Sequence, residues 1–271
     1  MQTKKITSVS NPKIRQALDL KEKRTKHHHI EFLIEGPHLI EMAVESGCII
    51  RDVFAGSSFL VKKDVQKLLR DLSETTEALF EVPDHLLNKL GDTKTPQGII
   101  AVVSYQPVSL EDLPLQEKSL LVVIDGVQDP GNLGTIIRTS DASAADAVVI
   151  LPGTCDAFMP KVIRSTAGSI FNLPVIHATQ EDFLGWILQK NIKLLVASVD
   201  AERSVYETDL KVPLALVFGN EAHGVSKKLK ESAEMFLKIP ILGKAESLNV
   251  AVSASICLYE AVRQRNLTLI A

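Results

Sequence analysis

Three short stretches of this 271-residue chain place polar side chains and glycines where a strand hands over to a helix, and each could do chemistry. In the first, 125–134 (DGVQDPGNLG), an apolar run ends in a turn dense in Gly, Pro, Asp and Asn, and Arg138 follows. Ligands of parallel α/β sheets gather at the carboxyl ends of strands, where such loops lie. Asn132 can cap the helix that begins there, with Arg138 in its first two turns on the ligand side. A helix cap beside a surface arginine explains the same residues. In the second, 217–225 (VFGNEAHGV), Gly219 lets backbone approach a ligand closely. Glu221, acceptor-only when ionised, can hold a cation or orient a side-chain amide. A tight strand-to-helix turn reads the same way. In the third, 239–250 (IPILGKAESLNV), Ser247 and Asn249 open a long helix, where free N–H groups and positive potential are presented. Capping occupies one of those two residues and leaves the other over.

These stretches need a sheet to hold them. The runs 119–125, 147–151, 192–198 and 214–218 are apolar with almost no alternation, as strands buried on both faces are. Helices are expected at 133–143, 160–168, 181–190 and 249–265. Earlier in the chain, strands at 31–35, 49–55, 79–82 and 98–105 alternate with helical faces at 12–26, 37–45, 61–72 and 84–91. That alternation predicts a small α/β sandwich. The stretch 106–118, with Pro107, Pro114 and several acids, has little periodicity. The expected organisation is therefore an N-terminal α/β domain at 1–105, a linker at 106–118 and a parallel-sheet α/β domain at 119–271.

The composition, 45% hydrophobic and 23% charged, is that of a globular protein and speaks against disorder or a fibre. No secretory signal is expected from the first ten residues, and no apolar run approaches the length of a bilayer span. Cys48, Cys155 and Cys257 lie far apart without a CxxC pair, as reduced thiols of a cytoplasmic protein would. His27–His29 sit among lysines, and no metal is expected. The net charge of −3 hides a local excess, because residues 1–29 carry eight Lys and Arg against Asp19 and Glu22. Lys13, Arg15, Lys21, Lys23, Arg24 and Lys26 are the candidates for phosphate contact, although charge alone suits a solvated basic helix better. Neither a GxGxxG fingerprint after a first strand nor a Walker-type phosphate loop occurs.

In this order and at these separations, the three stretches resemble the signature of the SpoU, or TrmH-like, branch of the SPOUT class of RNA methyltransferases. Its N-x-G-x-x-x-R motif matches Asn132 to Arg138, its G-x-E-x-x-G motif matches Gly219 to Gly224, and its IP-x-x-G-x-x-x-SLNV motif matches Ile239 to Val250. The closing stretch 249–265 fits as well. FLIEG at 32–36 and DTKTPQG at 92–98 resemble a substrate-binding domain often fused ahead of it, so the resemblance covers nearly the whole chain.

The resemblance implies a deep trefoil knot in the C-terminal domain and S-adenosylmethionine as cofactor. It implies methylation of a ribose 2′-hydroxyl in RNA, with ribosomal RNA favoured. A transfer RNA 2′-O-methyltransferase and a non-catalytic RNA-binding protein of the same fold are the alternatives. Phe218, Gly219, Asn220, Ile239 and Leu248 would contact the cofactor. Arg138 would bind the phosphate beside the reacting ribose and stabilise the emerging alkoxide, with Asn132 and Glu221 positioning both Arg138 and the ribose. Ser247 and Asn249 would shape the loop around the reacting groups. A homodimer through the C-terminal domain is implied too, and the apolar Val250, Ala254, Ile256, Cys257, Ala261 and Val262 exceed what a one-sided surface helix needs, although burial against the domain's own sheet accounts for them nearly as well. The family often has an aromatic residue and a glycine after the first-motif arginine, where this chain has Ser143 and Ala144.

Overall fold

The computed structural model describes residues 3–22, 30–93 and 96–265. Lys23, Arg24, Lys26 and His27–His29 lie outside the described residues. The chain divides into two compact units, Met1–Pro107 with Phe158–Asn172, and Val108–Ala157 with Leu173–Ala271.

In the first unit the elements are β1 (Lys4–Lys5), α1 (Pro12–Glu22), β2 (Ile30–Glu35), α2 (Pro37–Glu45), β3 (Ile49–Ala55), α3 (Ser57–Leu60), α4 (Gln66–Thr75), β4 (Thr76–Glu81), α5 (Asp84–Leu90) and β5 (Ile99–Tyr105). The sheet runs β1-β4-β3-β5-β2 and is mixed, β3 being parallel to β4 and antiparallel to β5. Ile100 and Val102 of β5 share one core with Ile14 and Ala17 of α1 and Leu86, Leu87 and Leu90 of α5. Helices α2 and α4 pack on each other and on β3.

Two basic residues of α1 are tied into this unit. Asp52 in β3 is only 3% exposed; it accepts Lys13 Nζ at 2.8 Å, and its other oxygen has no partner. Lys21 Nζ donates to the carbonyls of Lys89 and Gly91 at 3.0 and 2.5 Å, where α5 ends. Arg15 stays exposed.

The stretch Phe158–Asn172, grouped by its place in the sequence with the second domain, lies in the first unit because its rings and charge find partners there. Phe158 packs on Phe32 and Tyr105 with ring centroids 5.2 and 5.1 Å apart, and Arg164 pairs with Asp92 at 2.5 Å.

The second unit contains β6 (Leu120–Asp125), α6 (Pro130–Ala142), β7 (Ala147–Ile150), β8 (Val175–His177), α8 (Gln180–Gln189), β9 (Lys193–Ala197), β10 (Arg203–Ser204), β11 (Leu214–Gly219), α9 (Lys227–Ser232), β12 (Met235–Lys238) and α10 (Val250–Arg265), with α7 (Pro160–Thr166) in the first. Its seven strands run β10-β12-β9-β11-β6-β7-β8, every neighbouring pair parallel. Leu121, Val123, Ala215 and Val217 turn to one face and pack with Phe183, Trp186 and Ile187 of α8 and Leu229 of α9. The alternate residues Val122, Ile124, Leu216 and Phe218 are equally buried on the opposite face, and α10 touches both β11 and α6. That is why these strands read as unbroken apolar runs. Among the described residues, no helix is long and apolar enough to cross a membrane, and no cluster of three His, Cys, Asp or Glu residues could hold a metal ion.

Candidate active site

Strands β6 and β11 lie side by side in parallel register with Asp125 opposite Gly219, so two of the three motif loops leave the sheet at the same edge. Helix α6 is capped by Asp129, whose Oδ1 accepts the Asn132 N–H at 3.0 Å, with Pro130 at the first helical position. Asn132 is therefore not the cap. Its side chain donates from Nδ2 to Glu221 Oε1 at 2.9 Å, and its Oδ1 accepts Asn249 Nδ2 at 3.0 Å. Asn249 in turn caps α10, its Oδ1 accepting the N–H groups of Ala251 and Val252 at 2.9 and 3.3 Å. That cap fixes the direction of the whole line. With its oxygen held by helix N–H groups, Asn249 must turn its nitrogen to Asn132, and Asn132 must turn its own to Glu221.

Glu221 also accepts the Gln128 N–H at Oε2 and the Asp129 N–H at Oε1, at 3.2 and 3.3 Å. Burial alone pushes its carboxyl up. The Asn132 amide and the N–H groups of Glu221, Gln128 and Asp129 outweigh that and hold the carboxyl below its ordinary value. Both oxygens are engaged by donors, so Glu221 is built to tie the first loop to the second. Nearby, burial and the carboxylates of Glu221, Asp129 and Asp156 push the Cys155 thiol up to about 11, which keeps it protonated at neutral pH.

The second loop closes on itself through reciprocal backbone bonds between Asn220 and Gly224, at 3.0 and 2.9 Å. A Cβ on Gly219 would overlap the backbone of Gly224 and Val225, so this turn requires glycine whether or not a ligand comes near. Asn220 Nδ2 donates to the Gly126 carbonyl at 2.7 Å, and Thr154 Oγ1 accepts the Gly126 N–H at 2.9 Å. The Phe218 side chain is 1% exposed and belongs to the core, which leaves only its backbone for a ligand.

Other candidates are not joined to this line. Arg138, six residues past Asn132, points about 120° away from it around the helix. Its side chain is exposed and makes no hydrogen bond or ion pair among the described residues. Ser247 is likewise exposed and unbonded, and Leu248 is partly exposed. Ile239 lines a cleft of about 400 Å³ with Val199, Pro240, Ile241 and Ala245, together with Lys238 and Glu246. Small-molecule sites span roughly 300–1,000 Å³. Residues 240–248 form no hydrogen bond among the described residues, so apolar side chains and open backbone groups meet at this cleft. Such a lining fits a nucleoside-bearing ligand. Gln128, Asp129 and Thr154 are parts of the site that motif reading did not single out; the only signal for them was their density in the first loop and in the loop after β7.

The model of the SpoU rRNA Methylase family matches residues 119–259. The chain belongs to the SpoU rRNA methylase family. The first part of this SpoU protein, residues 11–101, matches the MRM3-like substrate binding domain. The protein is 38% identical to the 23S rRNA (guanosine(2553)-2′-O)-methyltransferase RlmP of Bacillus subtilis over 94% of this chain and 98% of that one. It is 34% identical to the 23S rRNA (uridine(2479)-2′-O)-methyltransferase of Streptomyces viridochromogenes over 87% of this chain and 83% of that one. The crystal structure of the SpoU methyltransferase AviRb from Streptomyces viridochromogenes with AdoMet superposes with a TM-score of 0.86 at 31% identity, covering 94% of this chain and 98% of that one.

Proposed function

We propose that this SpoU protein transfers the methyl group of S-adenosylmethionine to a ribose 2′-hydroxyl of ribosomal RNA. The observation that carries the reading is the one-way amide line from Asn249 through Asn132 to Glu221, which fastens three motif loops together beside the open coil 240–248. The names of the curated relatives support the 2′-hydroxyl and the ribosomal RNA. When bound, S-adenosylmethionine supplies a methyl group already activated by its sulfonium, so the chain must supply alignment and handle one proton. Alignment can contribute most of the lowering of the barrier. Asn132 keeps one amide hydrogen beyond the one given to Glu221, and Asn249 keeps one beyond that given to Asn132; both can orient the ribose. Glu221 is saturated by donors and does not take the proton. Arg138 stays protonated, as guanidinium groups do, and in this reading it binds a phosphate and stabilises the developing alkoxide. Cofactor contacts come from the backbone of Phe218, Gly219 and Asn220 and from Ile239 and Leu248, while Ser247 shapes the coil. A trefoil knot through the C-terminal stretch belongs to the same proposal.

Two assembly features complete it. Val252 and Tyr259, 48% and 52% exposed and two turns apart on α10, leave an apolar stripe uncovered, which supports a homodimer through the second unit. Light scattering that finds a monomer at micromolar concentration would overturn it. Of the basic N-terminal residues the structure describes, Arg15 is exposed and can meet phosphate; Lys23, Arg24 and Lys26 are candidates on sequence alone. The test of function is transfer of tritium from labelled S-adenosylmethionine to separated RNA fractions, followed by nucleoside analysis. Label on a 2′-O-methyl nucleoside of ribosomal RNA is expected; label on a base, or no transfer to any RNA, refutes the reading.

A further inference from the structure

The second motif loop has an anchor that runs through Gln180 of α8, an element outside all three stretches. Asp125 ends β6 with a carboxylate only 5% exposed. Its Oδ2 accepts the Ser226 N–H at 2.6 Å, and its Oδ1 accepts Gln180 Nε2 at 3.2 Å. The same Gln180 nitrogen donates to Ser226 Oγ at 2.9 Å, so its two hydrogens close a ring of three residues from β6, α8 and the start of α9. Ser226 directly follows Val225, whose backbone nitrogen occupies the space a Cβ on Gly219 would need. A shift of Ser226 is thereby passed to Gly219, and through the Asn220–Gly224 closure to Glu221.

We propose that Gln180 is a positioning residue that holds the Gly219–Val225 loop in its cofactor-binding form through Asp125 and Ser226. The inference rests on the cofactor site argued above and adds an element, α8, that carries none of the motifs. Gln180 supplies one of the two donors to a buried carboxylate. An apolar side chain of the same length removes that donor and the tie to Ser226 together. The loop then divides its time between the anchored arrangement and displaced ones. If the anchored form is populated a tenth of the time, the apparent dissociation constant rises about tenfold, with every molecule still able to bind.

The test is calorimetric titration of the full chain with S-adenosylhomocysteine. Gln180→Met is expected to weaken binding about tenfold, and Ser226→Ala, which deletes only the Gln180 acceptor, about threefold, with the number of sites filled unchanged. Gln189→Met, at the exposed far end of α8, is expected to bind normally. Damage to folding alone has the opposite signature, fewer filled sites at an unchanged dissociation constant. Binding by both Gln180→Met and Ser226→Ala within 1.5-fold of the unaltered protein overturns the proposal, as does a loss confined to the number of sites. Failure of the unaltered protein to bind overturns the functional reading and this proposal with it.

Discussion

Glu221 receives hydrogens from Asn132, Gln128 and Asp129 and, as a carboxylate, returns none to them. Glutamine there keeps the shape and turns one oxygen into a donor that faces another donor. Glu221→Gln is expected to slow single-turnover methyl transfer 10- to 100-fold, about 1.4–2.8 kcal/mol, with S-adenosylhomocysteine affinity within a few-fold. An unchanged rate would show that the tie is dispensable. The same residue predicts a pH effect whose sign follows from its depressed carboxyl value. A group lowered on folding stabilises above its ordinary value, about 4.3 for Glu, and loses that contribution as pH falls through the lower one. Melting temperatures should therefore drop more steeply between pH 5 and 3 for the native protein than for Glu221→Gln, and run parallel above pH 6. At this scale the sequence exposed Glu221 and both asparagines, because polar residues at strand-to-helix turns stand out. It could not choose between Asp129 and Asn132 as cap, since either side chain suits the role and only the fold shows which one is drawn to Glu221. Lys13 and Gln180 were opaque for another reason: their carboxylate partners lie 39 and 55 residues away.

Helices α6 and α10 pack together, and that contact sets Asn132 and Asn249 within hydrogen-bond reach. Asn249 does two jobs that substitution can separate. Asn249→Ala removes the α10 cap, costing about 1 kcal/mol of stability, along with the link to Asn132. Asn249→Asp keeps an acceptor for Ala251 and Val252, at a helix start that favours negative charge, yet turns oxygen toward Asn132 Oδ1. The aspartate variant should melt like the native protein and transfer methyl at least tenfold more slowly; equal loss of stability in both variants would contradict the division. The other end of α6 carries a small strain. Ala144 sits at φ 53° just past the Ser143 cap, a left-handed position where glycine is favoured. Ala144→Gly is expected to add about 1 kcal/mol and raise the melting temperature by about 2–4 °C. The long buried strands were visible as apolar runs, whereas β8 and β10, with three and two residues, are too short to show any period.

Over the whole molecule, net basic charge near the N-terminus separates into residues that hold the fold and residues that can meet RNA. Lys13→Ala leaves the buried Asp52 carboxylate without its partner, a loss of about 1–3 kcal/mol, and should leave the salt dependence of RNA binding alone. Arg15→Glu should do the reverse, keeping stability and lowering the slope of log affinity against log salt by about 1. Thermal melts and binding at several salt concentrations distinguish them, and identical behaviour of the two variants would show that α1 has no such division. Domain membership was only partly legible, because 158–172 reads like any helix of the parallel-sheet series until Phe158 and Phe171 are seen against Phe32. Its placement means the chain passes between the two units three times, after Pro107, Ala157 and Asn172. For a chain emerging from a ribosome, that path imposes a timetable. When its first 107 residues are out, the N-terminal unit has its whole sheet and the core of residues 6–102, but its Phe32 face waits uncovered while Val108–Ala157 and then Phe158–Asn172 follow. Nascent chains arrested with Phe158–Asn172 still inside the tunnel should leave the Phe32 face of the N-terminal unit open to protease, and chains arrested after it has emerged should protect it.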